Sequence, residues 1–198
     1  SCKNLTGNIP QGFFDKLPKL TTVAGTFDGC NNLTGAIPEG LLKYNTKVTA
    51  FGNTFRNCHN LTSIPVGLFD NCPDASNFTG TFYGCSSITE IPEGLFDNNT
   101  KVNGFTETFC GLHKLKSIPN DLFKYNINVT TFTGTFNGCK GIAEIPVGLF
   151  DNCPEVTTFQ STFRYCTSIV EIPAGLFDNC TEVTNFKGTF EHCYSLSN

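Results

Sequence analysis

The sequence predicts a repeat solenoid of α/β type, with short parallel strands and short helical or 3₁₀ turns wound into seven coils of 27–28 residues. Three observations predict it. The composition is skewed, with 20 Phe and 11 Cys but no Trp or Met in 198 residues. A pattern restarts at Cys2, Cys30, Cys58, Cys85, Leu112, Cys139 and Cys166, and a partial eighth copy opens at 193–198. The Ile-Pro pair, from Ile9-Pro10 to Ile172-Pro173, and the later Thr-Phe pair, from Thr26-Phe27 to Thr189-Phe190, occur in every full copy. One segment copied in tandem, each copy touching only its neighbours, makes residues 1–198 a single solenoid domain.

Counted from the cysteine, the unit reads C-x-x-L-T-x-I-P-x-G-L-F-D-N-x-x-x-V-T-x-F-x-G-T-F-x-G. Its apolar positions, 1, 4, 7, 11, 12, 18, 21 and 25, fit neither a long amphipathic helix nor a long alternating strand, so each unit bends several times. Leu-Thr-x-Ile and Val-Thr-x-Phe are rich in β-branched and aromatic residues and read as strands of about three or four residues. Proline at position 8 removes a donor and biases the preceding Ile toward extended geometry, and Gly at position 10 interrupts again, so no helix runs through there. Gly-Leu-Phe-Asp-Asn and Thr-Phe-x-Gly-Cys read as single turns capped by Asp or Thr. Units two to four return as units five to seven: Lys43-Tyr44-Asn45 recurs as Lys124-Tyr125-Asn126, and Ile64-Pro65-Val66-Gly67 recurs 81 residues later. Every Phe except Phe13 falls at positions 12, 21 or 25, so the rings are expected to stack from coil to coil. Full burial contributes about 1.5–3 kcal/mol per ring, and a lone loop-rich unit is too small to offset its own ordering entropy.

A unit of this length with a strand, turns and a stacked apolar interior belongs to the leucine-rich-repeat class of solenoid. The junction seen in Phe82-Tyr83-Gly84-Cys85-Ser86-Ser87-Ile88 and Phe136-Asn137-Gly138-Cys139-Lys140-Gly141-Ile142, with C-x-x-L-T-x-I-P after it, resembles the BspA-like (Treponema-type) leucine-rich repeats over essentially the whole chain. The commonest unit of that family is shorter and keeps more residues before the Ile-Pro. The resemblance implies a cell-surface or secreted adhesion protein that binds an extracellular protein or glycan of a host or neighbouring cell.

With 13 Lys and Arg against 17 Asp and Glu, the net charge of −4 leaves no strong positive field, and nucleic acid is not an expected partner. No apolar run reaches the roughly 18 residues of a membrane span. Cysteine at position 1 reads as a small core filler, because Leu112 replaces it once and no C-x-x-C metal spacing occurs. Cys153 and Cys180 share position 15 in adjacent coils, and the sequence leaves open whether they are bridged. His59 and His113 recur two coils apart without a nucleophile or ligand partner, so no catalytic residue, metal or cofactor is expected. The column Asp15, Asp70, Asp97, Asp151 and Asp178, interrupted by Lys43 and Lys124, reads as turn caps in preference to a calcium site. Asn-x-Thr sequons, such as those at Asn32 and Asn60, follow from Asn-Leu-Thr in the unit.

The candidate binding residues are those that vary around the Ile-Pro pair: Ser63, Glu90, Ser117, Glu144 and Glu171 before it, and Glu93 after it. Three alternatives are a structural stalk or spacer, an enzyme built on a pocket of converging His, Asp or Cys, and an ice-binding array made of Thr130-Thr131, Thr157-Thr158 and Thr184-Asn185. The repeat begins mid-pattern and ends on an unfinished coil, so the chain is expected to belong to a longer array or to associate end to end through uncapped coils.

Overall fold

The computed structural model describes residues 4–197; Ser1, Cys2 and Lys3, at the opening of the first unit, and Asn198 lie outside the described residues. The chain winds as a solenoid whose coils pair in parallel. On one face β1 (Gly35–Ala36) pairs with β2 (Leu61–Ser63), and Gly7 bridges Leu33. On another face Thr22, Ala50 and Asn77 form one run of parallel bridges, and Gly104, Thr131, Thr158 and Asn185 form a second. The β1–β2 register shifts at Gly35/Ala36, because the first two units hold one residue more ahead of Ile-Pro than the later ones.

The strands are shorter than the sequence suggests, and no α- or 3₁₀-helix forms among the described residues. The division of backbone donors explains both. Thr81 and Tyr83 of coil three and Cys85 at the start of coil four donate to the carbonyls of Phe78, Gly80 and Phe82 and close consecutive turns, whereas Gly80, Phe82 and Gly84 donate to Thr106, Thr108 and Cys110 one coil further on. A helix would need every one of these amides within the coil. A strand would leave none for the turns. Left-handed residues at two repeat positions keep the alternation going: Gly80 (φ 60°) and Gly84 (φ 71°) in coil three, Asn53 (φ 56°) and Asn57 (φ 57°) in coil two. Such backbone suits glycine, and Asn tolerates it best among the rest.

The interior consists of three phenylalanine columns. Phe55, Phe82, Phe109, Phe136 and Phe163 stack with ring centroids 5.6–5.8 Å apart and planes within 4–8°. Phe132, Phe159 and Phe186 form a second column at 5.6 Å, and Phe123, Phe150 and Phe177 a third at 6.0–6.2 Å. The last two interlock at a tilt, as in the 4.7 Å contacts of Phe132 with Phe123 and with Phe150, at 55° and 50° between planes. Offset stacks and tilted contacts are the geometries that the ring quadrupoles favour. Phe13, the one Phe outside the columns, lies across the first coil against Phe14 at 4.9 Å and Phe27 at 5.4 Å.

Three buried polar ladders run beside the rings. The late Thr is not an N-cap as expected, because its hydroxyl donates to carbonyls of two coils: Thr135 Oγ1 lies 2.8 Å from the oxygens of both Phe105 and Phe132. Position 1 does more than fill space, since the thiols of Cys85, Cys139 and Cys166 donate to Phe55, Phe109 and Phe136 at 3.0–3.1 Å. Position 15 holds a ladder that the apolar pattern did not reveal. Asn99 Nδ2 donates to Phe69 at 3.3 Å and Cys72 at 2.9 Å, Asn126 Nδ2 donates to Asn99 at 3.0 Å, and Cys72, Cys153 and Cys180 occupy the same place in other coils. Cys153 and Cys180 are free thiols: Cys180 Sγ points at the Cys153 carbonyl, 3.6 Å away.

Column position sets the cost of truncation. Phe132→Ala, at a fully buried ring, is expected to destabilise by about 3–5 kcal/mol in denaturant unfolding, whereas Phe186→Ala, where the ring is 46% exposed, costs well under half of that. Burial pushes the thiols up, Cys72 to about 11 and Cys153, which also faces Cys180, to about 12. Their stabilising contribution is complete below the unfolded-chain value of 9.0 and is lost as pH rises through the folded values. Each thiol ionised only in the unfolded chain removes about 1.4 kcal/mol per pH unit across that window. A melting temperature that falls steeply between pH 9 and 11, with native thiols slow toward an aromatic disulfide reagent and reactive after unfolding, is the expected result.

Candidate functional site

The groove beside the Ile-Pro edge is built by two parts of each unit. Ile118 and Ile145 turn inward and are buried, so the residues before them and after their prolines face out. After each proline the chain turns at position 10, where Gly148 sits at φ 74°. Its backbone is left-handed, and a Cβ there would lie 2.8 Å from Asp151 Oδ2, which folds over the turn. Asp15, Asp70, Asp97 and Asp178 lie against Gly12, Gly67, Gly94 and Gly175 in the same way. Coil five replaces the pair with Asp121 and Lys124, whose charged groups approach to 4.0 Å.

In coils five to seven the two parts enclose about 820 Å³ between strand-segment residues such as Lys116, Ser117, Glu144 and Glu171 and turn residues such as Asp121, Val147 and Asp151. A further 500 Å³ continues the groove into coil four, where Glu93 and Asp97 join Ser117, Asp121 and Lys124. Carboxylates outnumber cations along it, and Val147 stands 80% exposed among them. The arrangement can hold an extended segment, with the prolines and Val147 as apolar contacts and the carboxylates as acceptors.

Of the residues expected from the sequence, Glu93, Ser117, Glu144 and Glu171 line this groove. Glu90 is exposed and Ser63 half-buried in the same column, in coils four and three, outside the enclosed volume. Asp121, Asp151 and Val147 were not among the expected binding residues. The signal for Val147 was available: Val66, also 80% exposed, occupies the same position 81 residues earlier, and a valine repeated at an outward position has no place in the core.

The histidines do not converge on a reactive group. His59 Nδ1 donates to the Gly84 carbonyl at 2.7 Å, and His113 is held below the usual imidazole value by burial, then by Lys140 and His59. His192 stacks on Tyr165 at 4.4 Å and meets the Tyr194 hydroxyl at 2.8 Å. Among the described residues no three His, Cys, Asp or Glu gather as metal ligands, and no helix is long and apolar enough to cross a membrane. On the threonine face the hydroxyls of Thr130, Thr157 and Thr184 donate to the carbonyls of Asn103, Thr130 and Thr157 at 3.0–3.4 Å, so their protons already tie one coil to the next.

No protein-family model matches the chain, and no curated protein sequence matches it. Solved structures do. The leucine-rich-repeat protein of T. pallidum superposes with a TM-score of 0.53 at 19% identity, over 90% of this chain and 72% of its own length. The leucine-rich-repeat domain of APL1 superposes with a TM-score of 0.57 at 13% identity, over 76% of this chain, which spans about a third (35%) of that one. Their fold is what the paired coils, the buried columns and the BspA-like motifs point to, and the chain is a leucine-rich-repeat solenoid.

Proposed function

We propose that the chain is a non-catalytic recognition module of a cell-surface or secreted protein, and that the acidic groove beside the Ile-Pro edge binds a protein or glycan of another cell. The observation that carries this reading is the convergence of Glu93, Ser117, Glu144 and Glu171, from separate coils, on one groove with an exposed valine in it. Side chains from several coils act together only on a ligand long enough to cross them, which suits an extended segment better than a small molecule. A spacer needs no such groove. A screen against immobilised extracellular-matrix proteins and glycans, repeated with Glu90, Glu144 and Glu171 all changed to Ala, is the test. The triple variant is expected to bind the identified ligand at least ten-fold more weakly with an unchanged melting temperature; undiminished binding removes the groove from the account.

A further inference from the structure

The net charge of −4 conceals a segregation by repeat position. The stretches that round the corner opposite the Ile-Pro turn, 56–62, 83–89, 110–116, 137–143 and 164–170, contain no Asp or Glu. They do contain Arg56, Lys114, Lys116, Lys140 and Arg164, with His59 and His113 between them. The three lysines and both histidines are exposed. Arg164 is paired with Glu191 at 2.8 Å, and Arg56 lies 5.1 Å from the Tyr83 ring, but Lys114, Lys116 and Lys140 have no carboxylate partner among the described residues. Glu107 and Glu191 stand at the margins, the first close enough to act on Tyr83 and Cys110.

Cations gathered without counter-ions repel one another, so this arrangement adds nothing to the stability of the fold. What it makes is a positive strip about 15 Å long across coils three to six, at roughly 4.8 Å per rung. The residues between the cations are small and polar, including Asn60, Ser86, Ser87 and Thr89, and hydroxyls and amides of this kind pair with sugar hydroxyls. From 56 to 143 the strip has no large exposed apolar side chain, the anchor on which a protein–protein contact depends. A partner that fits is a chain with anions along its length and hydroxyls between them. We infer that this strip, which meets the acidic groove at Lys116 and Ala143, is a second binding surface, and that it takes a sulfated polysaccharide.

Heparin serves as the probe, with the folded chain titrated by calorimetry and eluted from a heparin column in a salt gradient. The Lys114→Gln, Lys116→Gln, Lys140→Gln variant is expected to bind at least ten-fold more weakly, with the slope of log affinity against log salt smaller by about two to three. Its melting temperature should be unchanged or raised, since like charges have been removed. Heparin affinity equal to that of the parent chain, or a loss accompanied by unfolding in the single Lys→Gln variants as well, overturns the proposal. The Glu90, Glu144, Glu171 to Ala variant separates the two surfaces: it should keep heparin affinity through Lys114 and Lys140, which lie outside the groove, and a loss there would overturn the assignment of heparin to the strip. Desulfated heparin should fail to bind. Duplex DNA of equal charge concentration held as tightly as heparin would overturn the assignment to a polysaccharide.

Discussion

Each coil is completed by the next one, and the rest of the molecule depends on that constraint. A unit of 27 or 28 residues with no helix has neither a sheet nor a core of its own, so its rings and half of its turn amides find partners only across the coil boundary. The phenylalanine columns supply the apolar burial. The Thr, Cys and Asn ladders beside them supply donors to carbonyls that a turn-rich backbone leaves over. Both kinds of contact require the same register, which is why a residue added ahead of Ile-Pro is absorbed in a local shift between β1 and β2 while the columns stay aligned.

Stacking explains what was legible in the sequence. A residue that must meet its own copy one coil away repeats, so Phe at three positions, Ile-Pro and the late Thr disclose the fold, the coil length and the interior together. Position 15 is hidden because it is divided between Asn and Cys. The two share little in hydropathy, but each carries a donor for the preceding coil, as Asn99 and Cys180 show. The strands are shorter than their composition suggests for a related reason. Val-Thr-x-Phe has the composition of a strand, but the left-handed residue two places after each Phe folds the chain into turns before a ladder can lengthen. In the candidate site the glutamates were legible as outward neighbours of Ile-Pro. Asp121 was not, because it stands where the other coils have Gly.

Function on such a scaffold follows from charge sorted by position. Carboxylates before and after Ile-Pro face one groove, whereas the corner from position 26 to position 5 keeps cations alone in its central coils. A solenoid makes this sorting simple, since a substitution at one repeat position lies beside the same position of its neighbours, and a few changes build a stripe. The interior that carries both stripes is indifferent to them: the columns hold no charge.

The dependence of each coil on the next is tested most directly by residue-resolved native-state hydrogen exchange. The amides of Phe82, Phe109 and Phe136 donate across the coil boundary, to Thr108, Thr135 and Thr162, so they should exchange only with the opening of whole neighbouring coils. Their opening free energies should be equal at the centre of the array and fall toward Phe190. Fast exchange at these amides, while the local turn amides of Thr81 and Thr135 remain protected, would contradict the account.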